Sequence, residues 1–213
     1  MEELQFYDNF EKALEQDMLK VCTSAGMLDG VMLASDDIDQ KWNDYANSYM
    51  ADAIEQINEY PEVAIAWSLY MGMAVAQWWD VDWLQNKDNE YLKLYGPHGF
   101  DDMDDYIVEQ ILGEKLGTEA ADKISSTAYS CAQRAISMIR KENIEFGSVK
   151  AFYVLSRTVK VMYRIGAALQ LKRLGYKFEK LGNYNRIIYA KEMFFDNCIG
   201  RCPLLCALSS AGK

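Results

Sequence analysis

Apolar residues recur at intervals of three and four along almost the whole chain, and the period-two alternation that marks strands is nearly absent, so every long segment is predicted to be helical. The expected fold is all-α, a single domain over residues 1–213 built as an irregular bundle of about seven or eight helices. A first helix covers residues 4–24 and stops in the loop 26–30. Ser35 then offers a hydroxyl cap, with Asp36 and Asp37 in the turn where the helix dipole favours acids. In this second helix Ile38, Trp42, Tyr45, Tyr49 and Ala53 form the core-facing stripe, while Asp44, Asp52, Glu55 and Glu59 lie opposite. Pro61 suits the first turn of a third helix. Breaks are expected at 86–89, at YGPHG and at 113–118. Further helices start near Asp101, run over 119–143 and over 147–174, and a last one holds RIIYAKEMFFDNC, with the tail 198–213 docked behind it.

The third helix, near 62–84, has the most distinctive pattern, because residues 63–79 contain no charged side chain. Seventeen residues is short for a bilayer core about 30 Å thick, and the flanking Glu62 and Asp80 are poor anchors. A helix that is apolar all round is otherwise the centre of a bundle. Ala64, Ser68, Gly72 and Ala76 fall at steps of four, so one face is a strip of small side chains against which another helix is expected to pack closely; a ligand in the same groove is the alternative. Trp78, Trp79 and Trp83 crowd the exit of this helix beside Asp80 and Asp82, as a cap on the core, an interface or a cradle for a cationic or sugar-like ligand.

Charge changes the picture. The net charge of −10 over 213 residues conceals 27 acidic and 6 basic side chains through Asp122, then 5 acidic and 16 basic. The two parts are expected to attract each other within the fold. Five cysteines, an odd number, and an acidic start MEELQFYDNFEKALEQ point to a reducing cytoplasm.

Three clusters carry candidate chemistry. In YGPHGFDDMDDYIVEQ, Asp101, Asp102 and Asp105 are placed to converge on a hard cation, Mg2+ or Mn2+, with His98 as general base; helix capping by the acids and a turn role for His98 are the plainer readings. DDMDD resembles, over five residues, the aspartate-rich segment with which all-α isoprenoid synthases hold a magnesium–diphosphate complex. That resemblance implies a second metal-binding segment on another helix, and NDYANSYMAD (43–52) precedes the first and is out of register. Lys150, Arg157, Lys160 and Arg164 form a cationic stripe able to grip phosphate or carboxylate. Its expected partners are Asp52, Glu55 and Glu59 across a helix seam, or the Asp101 cluster across a cleft. Cys198, Cys202 and Cys206 in CIGRCPLLC, with Cys131, are read as small apolar thiols of a docked tail before a metal set.

No serine-centred elbow or phosphate-cradling glycine loop occurs. The expected role is a bacterial-type protein-interaction module, immunity-like or regulatory, that meets a protein partner or itself, and neither a membrane nor nucleic acid. Alternatives are a metal-dependent all-α enzyme acting on a phosphorylated or diphosphate substrate and a helical small-molecule binder. No cofactor is expected outside the enzyme reading.

Overall fold

The computed structural model describes residues 2–181 and 184–189, apart from Phe146. Among them are six α-helices: α1 (Glu2–Ser24), α2 (Asp36–Glu59), α3 (Pro61–Asn86), α4 (Met103–Tyr106), α5 (Glu119–Lys141) and α6 (Val149–Arg173). The all-α expectation holds, with fewer helices than the seven or eight predicted. After the YGPHG loop the expected helix is broken up: a 3-10 turn Phe100–Asp102, the four-residue α4 and a π-helical turn Ile107–Ile111 replace a single rod. The last predicted helix is corrected outright over Tyr184–Tyr189, which is strand β2, paired antiparallel with β1 (Tyr176–Leu181) in the register Tyr176↔Tyr189. Gly-Asn between two aromatic-rich segments is a hairpin signal that helical periodicity overlooks. The CIGRCPLLC run and the docked-tail expectation lie outside the described residues.

Local chemistry sets the helix ends. Pro61 occupies the first turn of α3, and the Thr118 and Ser148 hydroxyls accept the Ala121 and Ala151 amides at 3.4 and 3.1 Å, opening α5 and α6. Ser35 precedes α2 without such a bond. Inside α3, Asp82 is extended (φ −166°, ψ 96°), which interrupts the ladder. Its carboxylate accepts the Gln85 amide at 3.2 Å, and the Asn86 side chain donates to the Trp78 carbonyl at 3.3 Å, so the break is internally satisfied.

As the uncharged pattern requires, α3 is the central helix, buried without interruption from Trp67 to Ala76. No helix among the described residues is long and apolar enough to cross a membrane. Its small-residue strip meets α6 directly: a Cβ on Gly72 would overlap the Tyr163 carbonyl, and one on Gly166 would overlap the Leu69 carbonyl. The groove is filled by backbone. Gln170 continues the seam by donating to Gln77 at 2.6 Å and accepting from Arg173 at 2.8 Å, and Arg173 also pairs with Glu114. The predicted stripe of α2 is buried at all five positions. Buried Cys22 and Cys131 place their sulfurs 3.5 Å apart between α1 and α5.

Candidate functional site

The cationic stripe on α6 is consumed inside the fold. Arg157 pairs with Asp8 at 3.4 Å and with Glu11, Lys160 with Glu11 at 3.1 Å, and Arg164 with Glu15 and, at 3.5 Å, with Asp39. The seam is therefore with α1 and the start of α2, and it corrects both expected partner sets: periodicity defines which residues share a face but not which helix that face meets. Burial alone would raise the Glu11 carboxyl, yet hydrogen bonds and charge from Arg157 and Lys160 outweigh it and hold the group below its ordinary range. Asp39 goes the other way, because burial exceeds what Arg164 and Lys160 return. Lys150 stands 3.9 Å over the Phe6 ring. Arg134 to Asp17 and Lys172 to Asp29 complete the internal pairing.

The aspartates of DDMDD are distributed differently. Asp101 accepts the Gln56 amide at 3.3 Å, Asp102 lies 3.9 Å from His98, and half-buried Asp104 is raised by burial. Among the described residues no three His, Cys, Asp or Glu side chains are grouped to hold a metal ion, so Asp101, Asp102 and Asp105 do not converge as a metal site would require. His98 is 74% exposed in a turn. Trp79 donates to Asp37 at 3.2 Å and rests on the Tyr176 ring, Trp83 packs on the core, and Trp78 walls a hollow of about 470 Å³ together with Tyr106 and Gly96.

A larger cleft, about 710 Å³, opens beside α2. Its floor and one wall are built by α2 reaching across to the segment after α3. Buried Lys41 donates to the Lys87 carbonyl at 2.6 Å and to Asp44 at 3.0 Å, and Tyr45 donates to the Asn89 carbonyl at 2.7 Å. These bonds fix the segment that leads into the 3-10 turn Tyr91–Leu94. Tyr91 and Tyr95, one turn apart, then face α2: the Tyr91 ring is boxed by Tyr45, Tyr49 and Tyr95 at 5.8, 6.4 and 5.1 Å. Tyr95 donates to Asp52 and its phenol is pushed up to about 12, first by burial and then by that bond, so it stays a donor.

At the inner end of the cleft Tyr91 is 6% exposed, and its buried hydroxyl faces Tyr95, with the Asp52 carboxylate and Tyr49 close by. Around it Asp52, Asp88 and Glu90 have no ion-pair partner among the described residues; Asp44 is the one lining acid that does, to Lys41. Leu92, 64% exposed, forms part of this cleft and of the Trp78 hollow.

Of this set, Asp44 and Asp52 are expected from the sequence to lie opposite the core stripe of α2, Asp52 as a partner of the α6 stripe, and 86–89 is expected only as a break. The overlooked signal is DNEYLKLY: two tyrosines four apart just after Asp88 and Glu90, in a stretch too short to show a helical period. Comparison with known protein families, with curated proteins and with solved structures finds no match.

Proposed function

We propose that this protein is an interaction module that engages a basic partner protein through the acidic face formed by α2 and residues 88–105. The observation that carries this reading is the lopsided neutralisation: the α6 cations are spent on α1 acids, whereas Asp52, Asp88, Glu90 and Asp101 keep no cation among the described residues. A predominantly acidic exposed face, with Lys93 as a cation within it, steers an oppositely charged partner and favours its encounter, and exposed Leu92 beside it supplies apolar area for a contact that outlasts the encounter. An immunity-like or regulatory role, in which binding masks the partner's basic surface, fits these features. The enzyme alternative needs cations free to hold phosphate, and Arg157, Lys160 and Arg164 are engaged with carboxylates. The small-molecule alternative needs the α3 groove, which α6 fills.

Titration with an arginine- and lysine-rich peptide, followed by tryptophan fluorescence, tests the reading. Saturable binding is expected that weakens at least tenfold between about 50 mM and about 500 mM salt, where screening shortens from over 10 Å to a few Å. Equal binding of an acidic peptide, or no binding of the basic one at low salt, overturns it.

A further inference from the structure

We infer that Cys22 and Cys131 are a redox-active pair: a peroxide converts them into a disulfide that staples α1 to α5, and a thiol reductant releases it. The pair governs how firmly α1 is held and is independent of the interaction reading.

Two observations meet at this contact. Cys22 and Cys131 are free thiols, fully buried and 109 positions apart in the chain, and their sulfurs lie 3.5 Å from each other. Bonded sulfurs are about 2.05 Å apart, so roughly 1.5 Å has to close. The register of the two helices is also fixed on both sides of the thiols. Arg134 pairs with Asp17 beyond them, and the Lys123 ammonium lies beside Gly26 before them, so α1 and α5 run antiparallel with Cys22 held opposite Cys131.

The environment sets the order of events. A thiolate is the nucleophile, and Cys131 is poorly suited to begin, because its hydrogen bond with Cys22 and then burial push its thiol well above the ordinary value. Cys22 lies in the last turn of α1, just before a turn, where a helix end opens at the lowest cost. Its thiolate attacks one oxygen of hydrogen peroxide, the O–O bond breaks and hydroxide leaves, giving a sulfenic acid. As the helix end recloses, the Cys131 sulfur attacks the Cys22 sulfur, the S–O bond breaks and water leaves. The two thiols give up two electrons and two protons, and one peroxide becomes two waters. A thiol already at 3.5 Å captures the sulfenic acid before a second peroxide carries it to sulfinic acid. The closed loop restrains the unfolded chain, which makes the oxidised protein the more stable form. Because α1 also carries Glu11 and Glu15, the staple secures their pairing with Arg157, Lys160 and Arg164.

The test treats the full chain with hydrogen peroxide below its unfolding midpoint, then maps its peptides without reductant and follows thermal unfolding. The other three cysteines are removed by Cys198→Ser/Cys202→Ser/Cys206→Ser, and Cys22→Ala and Cys131→Ala in that background serve as controls. A peptide joining residues 22 and 131 and a midpoint raised by about 5 °C or more are expected, both reversed by dithiothreitol and both absent from either control. If a control does not fold, the joined peptide and its loss on reduction in the chain that keeps both cysteines decide the matter. Two thiols retained after a treatment that oxidises the urea-unfolded chain overturn the pair, as does sulfinic acid at either cysteine without the link. A link that leaves the midpoint level or lowers it overturns the staple.

Discussion

The α3–α6 seam and the cleft beside α2 are both walled by helices, yet they end in opposite states. Along the seam, small side chains let backbone reach backbone, and every polar group placed there, Ser68, Thr158, Gln77 and Gln170, has a partner. In the cleft, Tyr91 and Tyr95 line one wall, and Asp52, Asp88 and Glu90 have no cation paired with them among the described residues. What separates them is side-chain size at the contact: alanine and glycine close a gap, whereas Tyr91 and Tyr95 line one. A region that is finished contributes stability; a region left unfinished is where binding energy remains available.

The comparison is broken most severely by enlarging the seam. Gly72→Ala or Gly166→Ala places a methyl against a carbonyl that cannot move aside, and a loss of about 3 kcal/mol or more is expected, read as a lowered urea midpoint at unchanged slope. A smaller effect is expected at the charged seam. Glu11→Gln removes the carboxylate shared by Arg157 and Lys160, with a loss of about 1–2 kcal/mol at neutral pH. Because the folded Glu11 lies below its ordinary 4.5, its contribution is present above that pH and is lost as pH falls through the lower, folded value; the wild type should lose stability on acidification in that window, and Glu11→Gln should lose less.

The cleft should respond more weakly. Tyr91→Phe removes a buried hydroxyl that interacts with Tyr95, and a loss of about 1 kcal/mol is expected, read as a lowered thermal midpoint. Smallest of all, Lys150→Met should cost no more than about 0.5–1 kcal/mol in equilibrium unfolding, since the cation over Phe6 sits at the edge of α1 and α6 and its stem still packs.

The contrast also explains what could be read from the chain in advance. Ile38, Trp42, Tyr45, Tyr49 and Ala53 recur with the helical period and are all buried; Pro61, Thr118 and Ser148 mark real helix starts; and Ala64, Ser68, Gly72 and Ala76 announced a close crossing. Each of these depends on neighbours within about two turns. The partners of Arg157 and Arg164 depend instead on which helix packs alongside, and Glu11 and Glu15, almost 150 residues away, carry no local sign of it. The cleft was illegible for a related reason: Tyr91 and Tyr95 acquire their meaning only when Lys41 and Tyr45 tie residues 87–89 to α2. The hairpin after α6 was missed because two six-residue strands are too short to outweigh a long helical pattern before them.

The two glycines of the seam have a mechanical consequence. Gly72 lies against the carbonyl of Tyr163, three residues before Gly166, and Gly166 lies against the carbonyl of Leu69, three residues before Gly72. Each helix thus carries the notch for the other, and the two notches engage together. Sliding α6 along α3 by even one residue would drive a side chain into backbone on both sides at once, so translation is locked while a small rotation about the contact is not. The crossing thus fixes the register of the two central helices.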